Sequence, residues 1–219
     1  NAYVCIFVDE GLGGTVNNSQ LQKSICCVTD EFSAVNCLET IKQGFEVKLL
    51  VCYETREDAI HLVKIIDKIL PRMLRSEIEL EFHKISKFGK NSEDVLSKNT
   101  LITNILIKSA KEKKISHISL STSPLIYPSR YVETLQKRIF SAGMIPHIPL
   151  SGIDSEIMKN AREIGMEKYI SKIEKFLKIN LAKPNQKASK NEKITKKIIK
   201  IKLGPNNVHT ILDSLEIEH

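Results

Sequence analysis

The chain has 219 residues, 42% apolar and 27% charged, with a net charge of +7. This is an ordinary globular composition, with no apolar run long enough to span a bilayer and no visible signal peptide. Few aromatics and no tryptophan argue against a base-stacking platform of the single-strand-binding type.

Ala2 to Val8 is an apolar strand-like run, followed by a loop from Asp9 to Gln20 punctuated by Gly11, Gly13 and Gly14. These glycines precede a strand and lack the Gly-Lys-Ser/Thr ending of a P-loop, so the stretch reads as a connector. The abrupt start at Asn1-Ala2 suggests a fragment of a longer protein, with residues 1–22 joining it to a missing N-terminal region. Ser24 to Val28 is a short buried strand, broken by Thr29-Asp30-Glu31. Beyond Ser33, Val35, Leu38 and Ile41 recur at helical spacing until Gly44. Glu46 to Tyr53 reads as a second strand. Arg56 to Leu70 is a helix stopped by Pro71, and Ile78 to Ile85 a third strand. Ser86 to Lys98 reads as a polar loop and Thr100 to Lys113 as a helix. Ile115 to Leu120 is a fourth strand, Arg130 to Ser141 a helix and Ile145 to Leu150 a fifth strand. A short helix covers Ile153 to Ile164, and an amphipathic piece from Val208 to Ile217 closes the chain. Alternating strands and helices predict an α/β fold: a five-stranded parallel sheet with helices on both faces, spanning residues 23–171. Residues 172–219 form a Lys-rich C-terminal extension.

The extension holds the whole basic excess. Lys172 to Lys202 contains eleven lysines against two glutamates. Such a segment is an electrostatic footprint for nucleic acid, here through the phosphate backbone, and equally the pattern of a solubilising tail. Lys183, Lys187, Lys196 and Lys197 are the candidate phosphate contacts. The five cysteines all lie in the first quarter without a C-x-x-C pair, which predicts buried free thiols in a cytosolic protein. The histidines share no metal-ligand spacing with a Cys or acid, so no metal site is expected.

The first strand–helix junction is where α/β proteins place a phosphate, on free N–H groups at a helix N-terminus. This one has no glycine for close backbone approach. Asp30 and Glu31 add charge of the wrong sign: a like-charge pair at about 4 Å costs about 4 kcal/mol at an effective dielectric of about 20, against a helix-dipole return of about 0.3–1 kcal/mol. Only a bridging Mg²⁺ would reverse that balance. Ser151-Gly152-Ile153-Asp154-Ser155 imitates a pyrophosphate loop, but it follows the last strand and reads better as a capped helix start.

These features together resemble the adenylating α/β domain of the tRNA 4-thiouridine sulfurtransferases, the ThiI proteins, which also serve thiamine biosynthesis. That family runs G-x-G-G-L-P-V-G-T-Q-G-K, a strand, S-G-G-I-D-S-P-V-A and a helix ending near K-R-G. Here Gly11, Gly13, Gly14 and Ser19-Gln20 are followed by Val28-Thr29-Asp30-Glu31-Phe32-Ser33-Ala34-Val35 and Lys42-Gln43-Gly44. Later, Ile145 to Asp154 and Ala161-Arg162-Glu163-Ile164-Gly165 are similar to P-L-I-G-x-D-K-x-E-I and A-R-x-I-G-T. The likeness implies a PP-loop (HUP, Rossmann-like) fold. Thr29, Asp30 and Ser33, with Ser121 and Thr122 after the fourth strand, take the cofactor-binding positions. It implies ATP with Mg only if the altered loop still holds nucleotide.

Departures fall at the chemistry. The loop's first Ser is Val28, its glycines are Thr29 and Asp30, its Asp is Phe32, and only Ser33 survives. The family arginines on the helix before the fourth strand correspond to Thr103 and Asn104. The sulfur-accepting Cys context corresponds to Leu177 to Pro184, where Pro184 is kept and the thiols are gone. The leading expectation is a degenerate ThiI-like domain that binds tRNA or a protein partner. The alternatives are an active ATP-dependent tRNA sulfurtransferase with an altered loop, and a scaffold that dimerises with an active paralogue.

Overall fold

A computed structural model of the chain describes residues 22–73, 75–89, 92–119, 129–147 and 194–218, with single positions at 162 and 165. Lys23–Val28 forms β1, Glu31–Lys42 α1, Glu46–Tyr53 β2 and Arg56–Ile69 α2. Pro71 does end α2, through a 3-10 turn at Leu70–Arg72 that tolerates its missing N–H. Glu77–Lys84 forms β3, Ser92–Glu112 α3, His117–Ser119 β4, Ser129–Ser141 α4 and Ile145–His147 β5. Thr195–Lys202 forms β6 and Asn207–Ser214 α5.

The sheet order is β5-β4-β1-β2-β3-β6, with β1 to β5 parallel and β6 antiparallel to β3. The expected five strands are therefore six. The added strand is the end of the Lys-rich segment, whose alternation of lysine and isoleucine suits a sheet edge. Ile199 and Ile201 turn into the core, and the opposite face sets Lys202 against Glu77 and Lys200 against Glu79. A second correction concerns Ser86 to Lys98. Its second half is the start of α3, whose polar first turn carries Glu93 and Asp94.

Period-two alternation sends each strand's side chains to two cores. Cys26, Val28, Leu49, Val51, Leu80 and Phe82 pack beneath α1, α2 and α5. Ile25, Cys27, Leu50 and Cys52 pack beneath α3 and α4. Burying one such side chain contributes about 1.5–3 kcal/mol, so the apolar strands fix the layer order. Gly44 sits at φ +87° just past α1, where a Cβ would cost about 1–2 kcal/mol. Cys26, Cys27, Cys37 and Cys52 are free and buried. The sequence-expected run Ala2 to Val8 and helix Ile153 to Ile164 lie outside the described residues, apart from position 162 in the latter.

Candidate functional site

In this topology strand order reverses between β1 and β4, and the carboxyl ends of those strands border the crevice where open α/β sheets take ligands. Thr29, Asp30 and Ser33 occupy that edge. Ser121 and Thr122, expected across the crevice after β4, lie outside the described residues.

The β1–α1 junction closes on itself. The Ser33 N–H donates to Asp30 Oδ1 at 2.8 Å, so the Asp30 carboxylate caps α1. In return Ser33 Oγ accepts from the Thr29 N–H at 2.8 Å and the Asp30 N–H at 3.1 Å. Its own hydroxyl donates to the Asp30 carbonyl at 2.9 Å. This is a capping box with serine in the place usually held by Glu or Gln, and Ser33 is fully buried. Backbone donors of the kind a phosphate needs already have side-chain acceptors, and a carboxylate stands at the helix N-terminus. Burial raises the Asp30 carboxyl above its ordinary value, with the hydrogen bonds from Ser33 opposing.

The same edge is acidic further along. After β2, Asp58 Oδ2 accepts from the Glu54 N–H at 2.9 Å and Thr55 Oγ1 accepts from the Asp58 N–H at 3.1 Å, a second self-contained helix start. Burial raises the Asp58 carboxyl as well. Glu54 is ion-paired with Lys98 of α3 and accepts from the Phe88 N–H at 3.2 Å. Glu31 meets His61 Nε2 at 3.1 Å. Among the described residues no group of three or more His, Cys, Asp or Glu side chains is placed to hold a metal ion. The described carboxylates have partners within the chain, and the Asp30 carboxylate at the N-terminus of α1 does not fit a triphosphate at that point.

Lys196 and Lys197, two of the four lysines named for nucleic acid, lie on β6 and have intramolecular partners. Lys197 Nζ is 3.1 Å from Glu216 Oε1. Lys196 Nζ is 3.0 Å from both Glu81 Oε1 and Glu112 Oε2. Lys183 and Lys187 lie outside the described residues.

Glu81 is the hub that sequence reasoning missed. It is 1% exposed, and its carboxylate accepts from Ser109 Oγ at 2.9 Å and contacts His83 Nε2 at 2.7 Å and Lys113 Nζ at 3.3 Å. Burial alone would push its pKa up. Hydrogen bonds from His83, Lys196 and Ser109 outweigh burial and hold it at about 2. The one sequence signal was a glutamate at a strand position whose neighbours two residues away are also polar.

These features define a doubly wound α/β fold with a self-capped first loop. No protein-family model matches the chain, and no curated protein matches it. Among solved structures it is similar to a 4-thiouridine synthetase crystallised with RNA and bound ATP, at 16% identity and a TM-score of 0.51. That match covers 67% of this chain and 42% of the synthetase, so the chain spans less than half of its neighbour's length. A weaker likeness is to PH1313 from Pyrococcus horikoshii, at 16% identity and a TM-score of 0.42, covering 66% of this chain and 41% of that one. The fold expected from the sequence, with its helices on both faces, is the fold found. No helix among the described residues is long and apolar enough to cross a membrane.

Proposed function

We propose that this chain carries a ThiI-like domain that has given up nucleotide chemistry and acts as an RNA-binding module, with tRNA as the RNA class. The observation that carries the first half is the reciprocal cap between Asp30 and Ser33. An anion supplied by the chain itself sits at the helix N-terminus that a phosphate would use. The acidic rim formed with Glu31, Glu54 and Asp58 supports the same reading, because each carboxylate repels a triphosphate. The RNA half is supported by the Lys-rich segment and by the kind of protein whose fold the chain shares, a synthetase crystallised with RNA. Of the segment's lysines, Lys183 and Lys187 are assigned to phosphates directly. Lys196 and Lys197 fasten β6 to Glu81, Glu112 and Glu216 and take no direct phosphate role in this reading.

Calorimetric titration of the full chain with Mg-ATP tests the first half. The expected result is no binding heat up to millimolar ATP from a protein shown to be folded. Sub-millimolar binding that vanishes in Ser33→Ala or Asp30→Ala would reverse the reading and restore an ATP-dependent tRNA sulfurtransferase with an altered loop. Binding of an unmodified tRNA transcript, followed by anisotropy across a salt series, tests the second half. Affinity should fall linearly on logarithmic axes as salt rises, and Lys183→Glu with Lys187→Glu should flatten the line.

A further inference from the structure

Most helix starts of this domain are acidic and most helix ends basic. At the carboxyl ends of the parallel strands stand Asp30, Glu31, Glu54 and Asp58, joined by Glu93 and Asp94 of the first turn of α3. At the opposite pole α1 ends on Lys42, α2 on Lys68 and α4 on Arg138. Part of this sorting is ordinary, since acids suit helix N-termini and bases suit C-termini at about 0.3–1 kcal/mol each.

The basic charge also continues where no helix dipole asks for it. β1 begins at exposed Lys23, and β6, running the other way, ends on exposed Lys200 and Lys202. Past the end of α3, Lys113 pairs with Glu79 at 2.7 Å and Lys114 is held exposed at φ +53°. Sheets have only small net dipoles, so strand ends carry no such preference. The starts of β2 and β3 lie between these groups and are acidic, with Glu46 facing Lys23 and ion-paired with Arg75 at 2.8 Å, so the lysines stand at the two ends of the edge. β4 begins next to β1, with His117 opposite Ser24, and β6 flanks β3, with Lys202 opposite Glu77. Six strands at about 4.8 Å make an edge about 24 Å long, enough to follow several consecutive phosphates.

We propose that the amino-terminal edge of the sheet, from Lys114 and Lys23 across to Lys200 and Lys202, is the surface of this domain that docks the phosphate backbone of a folded RNA. The RNA then lies at the pole opposite the crevice where this fold ordinarily takes ligands, because the acidic pole repels it. The inference rests on the RNA-binding reading above and adds the place. Lys84 and Lys87, exposed at the acidic pole, are the matched control.

The test compares two charge-matched double variants of the full chain, K23E/K114E and K84E/K87E, for binding of an unmodified tRNA transcript between about 50 and 200 mM salt. The expected result is about a tenfold loss for K23E/K114E, with a log–log salt slope shallower by about 1.5, and less than a twofold change for K84E/K87E. Should K23E/K114E fold poorly, the milder K23Q/K114Q is expected to show about half of the slope change. Equal losses in the two reversals, or no loss in either, would overturn the docking surface while leaving RNA binding intact. Absence of any tRNA binding by the parent chain would instead overturn the RNA reading itself.

Discussion

Replacing Glu81 by glutamine removes one charge and almost no volume, and it should be among the costliest polar substitutions in the domain. The carboxylate is 1% exposed and held at about 2, against 4.5 for an ordinary glutamate. At about 1.4 kcal/mol per tenfold change in proton affinity, that difference amounts to about 3 kcal/mol of folding stability at neutral pH. Glutamine also turns an amide donor toward two ammonium groups, Lys196 at 3.0 Å and Lys113 at 3.3 Å, so the loss should not fall below that figure. The pH sign follows from the depressed value. The stabilisation is complete above about 4.5 and is lost as pH falls toward 2. Denaturant unfolding at pH 7, 5, 4 and 3 should therefore show a gap between parent and Glu81→Gln that starts near 3 kcal/mol and narrows through the acid range. A double-mutant cycle with Lys196→Met should return a coupling of at least about 1 kcal/mol. A gap that is small at pH 7, or that keeps its size down to pH 3, would refute the assignment of Glu81 as a charged hub.

Other substitutions probe the rest of the structure. Asp30→Ala should cost about 1 kcal/mol by removing the cap of α1, whereas Asp30→Asn keeps an acceptor and should be neutral or stabilising. Because burial raises the Asp30 carboxyl, folding favours its protonated form, and any gain in the asparagine variant should be largest at neutral pH and shrink toward pH 4. A urea series at both pH values decides, and a gain that grows on acidification would count against the buried cap. Ile199→Ala in β6 should cost about 2–5 kcal/mol, since the side chain is 5% exposed within the core under α2 and α5. A loss under 0.5 kcal/mol would mean that β6 is a loosely held tail. Cys26, Cys27, Cys37 and Cys52 should react with a thiol reagent only at the rate of global unfolding, as their burial requires. Rapid modification of any of the four in native buffer would contradict the packing of β1, β2 and α1.

Local chemistry made the centre of this fold legible. Glu46 to Tyr53 is a near-continuous apolar run, and its bounds are those of β2. α2 starts where the sequence places it because Thr55 is a capping residue followed by Glu57 and Asp58. The start of α3 was hidden because Ser92 to Ser97 holds only two adjacent apolar residues, Val95 and Leu96, too few to show a helical period. Its order comes from tertiary contacts, such as Lys98 on Glu54. β6 was hidden for a stronger reason. Thr-Lys-Lys-Ile-Ile-Lys-Ile-Lys looks like a basic tail until Glu77, Glu79 and Glu81 of β3 lie beside it, and those residues are far away in the chain. Charge that reads as a partner's footprint is then partly the strand's own register mark.

The candidate site divides in the same way. Repulsion between a phosphate and Asp30 could be argued from charge alone, but not the use the chain makes of that aspartate. A helix N-terminus has backbone donors that must find acceptors. In a nucleotide loop the ligand supplies them, and glycines let it approach. Here the turn has no glycine, and Ser33 and the Asp30 carboxylate satisfy the donors internally. The sheet does not need the loop for its order, which is set by apolar strands such as β2 and by the register of β1 against β4. The residues that hold the fold are thus different from those that cap α1. An empty cradle would leave donors without acceptors, so losing the ligand without gaining the cap would cost about 1–3 kcal/mol for each buried donor left unpaired. Asp30 and Ser33 spare the N-terminus of α1 that cost.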